Sequence, residues 1–547
     1  MFLILLSSIF LIPVLIGCGK VFDCVLTNPF DGVYGKALYG IFGISITWTI
    51  LAFFMPLNAL VEIATILAGL IFFFTNKLYK EFSTFSKKDY ALAIVISVII
   101  LFCGSFYPFT LDHFGYYVPT IKWLTESGMV RGISNLDLTL GQMSVWHIFQ
   151  AGFSNLSDPF LRMNSVLLII YALYITEKKS WIQLCFLPVL LLFSQSPSPD
   201  LPVIVFSLII LMEILKGNQS PASLFAFSFF VFAIKPTMIW LPIVSFLYSL
   251  FIIKSSLKIF VPGFLILLLF CIKNIWTFGY PVFPISIGDI GVSWKPNKEV
   301  LRISSQFAIQ KTYDMQYSYQ EISRFTFADY IKNWLFLDGI KSVINIFFIM
   351  SLIALIIFSF IKKNKIISLI CFSIIIKSIL VILFSAQYRF FIDVFFVIFL
   401  LFFFNFFNKK RSAVVFSIFS IIIIGFLTVP SILQTYIPSF RLGNFMGRMK
   451  KEQIYVPSQY SNQEFNNYKI GNLSFHVSKR YPYNFDIKLP AISESYIFDD
   501  VKAGIFPQLA DKKNIRKGFT WKTLDAKERA QAEKVINSIK STYQQNK

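Results

Sequence analysis

The stretch ALAIVISVIILFCGSFYPFTLDHFGYYVP (91–119) decides how the rest of the chain is read. Its first twenty residues are almost wholly apolar. At 1.5 Å of rise per residue they form a helix long enough to cross a bilayer core of about 30 Å. The run then stops on Asp112 and His113, followed by Tyr116 and Tyr117. A membrane helix that delivers a carboxylate and aromatic rings to its end places polar chemistry at the mouth of a bundle.

Similar runs recur on both sides of it, at 2–17, 37–55, 57–75, 162–176, 181–195, 201–215, 221–235, 238–253, 258–272, 341–360, 366–384, 391–407 and 412–429. They predict an all-α polytopic membrane protein of about 13–14 transmembrane helices, several shorter than a full crossing. Composition agrees, with 56% hydrophobic and only 14% charged residues. Residues 1–90 read as accessory N-terminal helices. Residues 91–429 form the core, interrupted by larger loops at 111–161 and 273–340, and 430–547 form a polar tail. The run 2–17 lacks the basic start and the small-residue cleavage site of a signal peptide, so it reads as a retained span.

The net charge of +21 does not indicate nucleic-acid binding, because Lys and Arg concentrate in short loops and in the tail. The short basic loops 76–88, 177–179, 254–258, 362–365 and 408–411 fall on one face when the spans are counted, which makes that face cytoplasmic. The opposite, outer face receives 112–161, 196–200, the region around Lys235, 273–340, 387–390 and the tail. The tail is itself basic, but long segments translocate largely regardless of charge. Within it, aromatic and polar residues alternate early, and 523–545 reads as an amphipathic or solvated helix.

Asp112 admits two readings. It caps the helix that follows, with 120–128 lying along the membrane interface around Trp123, or it accepts a proton from a hydroxyl substrate. Under the second reading His113, Tyr116 and Tyr117 face the substrate, with tyrosine rings against the apolar side of a sugar. Asp200 ends SQSPSPD (194–200), a proline-stiffened turn at the same face, and either caps the next span or pairs with Asp112. Such a pair offers a place for a divalent cation, although no metal ligand is assigned and no cofactor is required.

Two cations complete the group. Lys235 lies in AIKPT (233–237), and Arg389 in the very short turn SAQYRF (385–390), beside Tyr388. Charges at such depth pair or bind a ligand, and a guanidinium fork matches phosphate oxygens. The competing assignment is that Lys235 snorkels and Arg389 pairs with Asp393. Tyr280 and Phe283, in GYPVFP (279–284), either project into a cleft or belong to a structural cover on the bundle. Among the six cysteines only Cys18 and Cys24 lie where they could pair, and three histidines give no metal spacing. No nucleotide-binding or hydrolase motif is present.

A polytopic bundle with Asp112 opening its first large outer loop, joined by SPSPD (196–200), Lys235, GYP (279–281) and YRF (388–390), resembles the C-type (GT-C) superfamily of membrane glycosyltransferases over roughly 91–430. The Asp-x-Asp or Glu-x-Asp of some members is absent, since His113 and Phe114 follow Asp112. The resemblance implies a bacterial inner-membrane enzyme that takes a sugar from a polyprenyl-phosphate donor to a glycan, lipid or protein acceptor at the outer face, with inversion. It places base or metal-ligand duty on Asp112 and donor-phosphate binding on Arg389 and Lys235. The alternatives are an O-antigen polymerase or ligase using Arg302 and Arg324, or a lipid-linked glycan transporter or flippase.

Overall fold

The computed structural model describes residues 1–436 and 449–545. Most of them are helical. Six helices among them have the length and composition to cross a membrane: Phe2–Asp23, Val33–Ala52, Leu257–Phe278, Ile340–Lys362, Lys365–Phe384 and Lys409–Thr428. The chain is a membrane protein on that evidence.

Six is fewer than the thirteen or fourteen crossings expected, and the reason is physical. Ala59–Thr75, Pro221–Ile234 and Ile392–Phe403 are apolar but short. Asp200–Leu215 and Pro221–Ile234 are enclosed by other helices along most of their length, so their hydrophobicity reflects burial in protein as well as in lipid. The run 181–195 is broken into a 3-10 turn, a short α-helical piece at Leu187–Leu190 containing Pro188, and another 3-10 turn.

Close backbone approach sets the N-terminal packing. A Cβ on Gly19 would lie 1.9 Å from the Lys36 carbonyl oxygen, and one on Gly40 would lie 2.0 Å from that of Leu15. The first two helices therefore touch main chain to main chain, as small residues allow in membranes. Interlocking phenylalanines, including Phe42, Phe206, Phe227 and Phe230, fill the adjoining core.

Ion pairs join the short basic loops at one end of the bundle: Lys36 with Glu81 at 2.5 Å, Lys178 with Asp31 at 3.4 Å and Lys409 with Asp89 at 2.8 Å. The larger loops meet the tail at the other end. There Ser458 N–H donates to the Ser105 carbonyl at 2.9 Å, Phe519 N–H to that of Arg131 at 3.0 Å, and the Trp521 indole to that of Lys295 at 3.0 Å. The tail segment 437–448 lies outside the described residues.

The tail departs from the all-α expectation. Phe465–Ile470 pairs antiparallel with Leu473–Ser478, and Ile505–Leu509 with Phe519–Thr523. Alternation of buried and exposed residues along Leu473–Ser478 is a two-residue period, which suits a half-buried strand. The expected terminal helix forms at Ala526–Gln545.

Two expectations about the loops are corrected. Helix Val118–Glu126 does not lie open along the interface: Trp123 is fully buried, its ring 5.8 Å from that of Phe519 in the tail. Lys273 does not open a loop, since its helix continues to Phe278. Its buried ammonium donates to the Gln142 and Met143 carbonyls, both at 2.9 Å. Beyond that helix, 279–339 carries the helices Lys298–Thr312, Tyr319–Ile322 and Phe327–Leu335.

Candidate functional site

Four helix ends converge at the tail-bearing end of the bundle. Pro236 pushes Lys235 into an extended conformation (φ −150°, ψ 112°), which terminates helix Pro221–Ile234 and turns the lysine out of it. Asp200 starts helix Asp200–Leu215, and the Ser198 hydroxyl fixes it by donating to its carboxylate at 3.2 Å and accepting from its N–H at 3.3 Å. Arg389 sits in the 3-10 turn Tyr388–Phe390 between two apolar helices. Asp112 follows helix Lys87–Gly104 and precedes the π-turn His113–Tyr117. Its side chain makes no capping hydrogen bond there, so the cap reading fails.

These residues alternate in charge. Arg389 Nη1 lies 2.6 Å from Asp112 Oδ2, and its Nη2 lies 3.9 Å from Asp200 Oδ2. The Lys235 ammonium contacts Asp200 Oδ1 and also donates to the Arg389 main-chain carbonyl at 3.2 Å. Exposure falls inward: the Asp112 and Arg389 side chains are 31% and 34% exposed, while Asp200 and Lys235 are each 8% exposed. The outer pair is thus accessible and the inner pair is its buried footing. The Asp112 charge, aided by Asp200, holds the Arg389 guanidinium ionised against its partial burial. Burial opposes the Asp200 carboxylate, but Lys235, Arg389 and Ser198 together hold it below the ordinary carboxylate range.

The aromatic candidates divide. Tyr388 is exposed beside Arg389, with Lys341 over its ring at 5.8 Å. Tyr116 and Tyr117 are buried, with ring centres 4.6 Å apart, and Tyr117 lies 4.8 Å from the His147 ring. Burial, then mutual and Asp112 charge, pushes the Tyr116 phenol well up, so it stays protonated. These rings wall the site; they do not offer an open face for stacking, as the sequence reading had them. His113 is likewise buried. Its Nδ1 lies 3.0 Å from the Ser196 hydroxyl, and burial followed by the Arg162 charge keeps it well below the ordinary histidine range. It ties the Asp112 turn to the Asp200 turn as a neutral ring.

Tyr280 does not join the site. Gly279 (φ +92°) closes its helix, and Tyr280 folds into a separate cluster with Leu138 and Phe278, where Phe283 also packs. Of the two readings of Tyr280 and Phe283, projection into a cleft gives way to packing against their own helix end. Nor does Arg389 pair with Asp393. Asp393 points inward to contact Lys377 and accepts from the Trp240 indole at 2.9 Å. All six cysteines are free, including Cys18 and Cys24.

A divalent cation between Asp112 and Asp200 does not fit this arrangement, because the Arg389 guanidinium already bridges the two carboxylates. No group of three or more His, Cys, Asp or Glu among the described residues is placed to hold a metal.

Sequence reasoning missed three contributors. Tyr483 of the tail lies close enough to feel the Asp112 charge, which after burial raises its phenol. Lys311 and Lys341 share with Arg389 a cavity of about 330 Å³. Their one sequence signal is Lys341 in the first turn of a membrane-length helix, at the depth where cations meet headgroups.

The sequence model of one family, described as a domain of unknown function (DUF8201), matches residues 1–396. The match includes Asp112, Asp200, Lys235 and Arg389 and stops before the tail. No curated protein and no solved structure matches the chain.

Proposed function

The chain belongs to the DUF8201 family, and we propose that it is an inverting membrane glycosyltransferase built on a GT-C-like bundle. It takes a sugar from a polyprenyl-phosphate donor to a glycan, lipid or protein acceptor at the outer face of a bacterial inner membrane. The observation that carries this reading is the Arg389 guanidinium between Asp112 and Asp200, about one-third exposed at the end of a membrane bundle.

In the free protein Arg389 is the partner of Asp112. A donor phosphate competes for the same guanidinium, and as Arg389 turns to it the Asp112 carboxylate loses a cation and becomes a better base. Asp112 then takes the proton of the acceptor hydroxyl. The acceptor oxygen bonds to the anomeric carbon from the face opposite the leaving group, and the bond from that carbon to the phosphate oxygen breaks. The lipid phosphate departs as an anion held by Arg389, so electrostatic stabilisation of the leaving group is the larger catalytic term. Lys235 is too occupied with Asp200 to take the phosphate directly; its part is to hold the Arg389 turn.

Transfer of labelled sugar from a polyprenyl-phosphate donor by purified protein tests this. Asp112→Asn should remove transfer while expression holds, and substantial surviving activity would remove Asp112 from the mechanism. Arg389→Ala should weaken donor use by about tenfold or more, and unchanged donor dependence would remove Arg389. A transporter is the second reading, supported by the buried Lys377–Asp393 pair inside the bundle. Flux of the lipid-linked sugar without covalent product would favour it. An oligosaccharide polymerase or ligase gains less, since Arg302 is engaged with Glu299 in an exposed ion pair.

A further inference from the structure

Beside Arg389 lies a cavity whose other cations the transfer scheme does not use. Lys311, Thr312, Asp314, Lys341, Tyr388 and Arg389 are among its lining residues. At about 330 Å³ it is within the size range of ligand sites. Three of those side chains are cationic and one is acidic. Lys341 contacts Asp314, which leaves Lys311 and Arg389 facing the cavity without a carboxylate of its own lining. The Arg389 Nε has no hydrogen-bond partner in the protein, so the guanidinium has a donor to spare once it turns from Asp112.

The cavity's depth is set by its own helices. Lys341 is the second residue of the membrane-length helix Ile340–Lys362, which places its ammonium at headgroup level. One wall is tied to helix Phe327–Leu335. The Trp334 indole of that helix donates to the Ala386 carbonyl at 2.9 Å, and Asn345 donates to the Trp334 carbonyl at 2.8 Å. Ala386 and Asn345 both line the cavity. The outer face of the same helix exposes Phe327, Tyr330 and Ile331, with Phe327 81% exposed. An amphipathic helix anchored by a tryptophan on one side and bare phenylalanine on the other, just before a membrane span, suits the interface between headgroups and acyl chains.

We propose that this cavity binds the phosphate of a membrane lipid, held by Lys311, Lys341 and Arg389, with the lipid entering past helix Phe327–Leu335. Lysine ammoniums supply point charges and arginine a planar fork, a combination suited to a phosphate oxyanion carrying more than one negative charge. Binding of that phosphate draws Lys341 from Asp314 and Arg389 from Asp112. The inference rests on the glycosyltransferase reading only for the identity of the lipid.

The test measures binding, so it is separate from transfer. Full-length protein in nanodiscs is titrated with a polyprenyl phosphate, with the uncharged polyprenol and with inorganic phosphate, and retention is read by native mass spectrometry. Wild type should retain the polyprenyl phosphate far better than the alcohol. The Lys311→Gln/Lys341→Gln double variant should lose about tenfold or more of that retention, while the Lys311→Arg/Lys341→Arg variant keeps it and so controls for folding. Asp112→Asn, inactive in transfer, should bind at least as well as wild type. Equal retention by wild type and the glutamine variant would overturn the site. Response to inorganic phosphate without preference for the lipid would overturn the membrane source. Loss of binding in the glutamine variant with no transfer from any donor would keep the site and discard the transferase.

Discussion

Two buried lysine–aspartate contacts lie near each other in the bundle, and they behave differently. Lys235 and Asp200 are each 8% exposed and lead outward, through Arg389, to the accessible Asp112. Lys377 is fully buried, Asp393 is 5% exposed, and their contact is closed by the Trp240 indole. The same two residue types thus form the base of a reactive mouth in one place and a sealed strut in the other. The difference lies in whether a third charge reaches solvent. A sealed pair is maintained by the cost of leaving either member alone, whereas an open pair can exchange a partner with a ligand.

Substitutions at the two pairs should differ in size of effect. Asp112→Asn should show the largest, a loss of about 10²–10⁴-fold in transfer with no change in thermal midpoint, because it removes a base from the open end. Lys377→Met should come next, costing about 3–5 kcal/mol of stability by leaving Asp393 buried and unpaired. Pairing it with Asp393→Leu should restore much of the loss, as read by thermal unfolding in detergent. Lys235→Met should destabilise less than Lys377→Met, since Arg389 still faces Asp200, but it should lower transfer by loosening the turn. Equal melting of the two lysine variants would show that the open and sealed pairs do not differ.

The smallest effect lies at the junction of loop and tail. Burial pushes the Asp137 carboxyl up to about 7, against its hydrogen bonds from Thr139. Burial, then the neighbouring Asp499 and Asp137, raises Asp500 as well. Groups raised in the folded state stabilise it most at low pH, and that contribution is lost as pH rises through the folded value. The Asp137 contribution to tail docking should therefore weaken between about pH 4 and 7, as read by hydrogen exchange in 494–502. Asp137→Asn should flatten the profile.

The open mouth was legible in the sequence because charges next to long apolar runs are few. Asp112, Asp200, Lys235 and Arg389 stood out for that reason, and the structure brings the four together. Aromatic roles were not legible. An interfacial tyrosine and a packed one have the same letter, and only the fold put Tyr116 and Tyr117 in a wall and Tyr280 in another cluster. Helix count suffered similarly, since Asp200–Leu215 is apolar because protein encloses it. Lys311 was hidden among other lysines in a polar loop and Lys341 stood at the start of a span, and nothing in a linear reading marks that the two share a cavity. The tail hairpins were visible only as an alternation of aromatic and polar residues.

Lys235 grips position 389 by its main-chain oxygen and leaves the side chain alone. A residue substituted there would keep that main-chain anchor. Position 389 is therefore a natural place for redesign: histidine, lysine or glutamine could be exchanged in turn to alter which headgroup the protein accepts, without rebuilding the scaffold beneath.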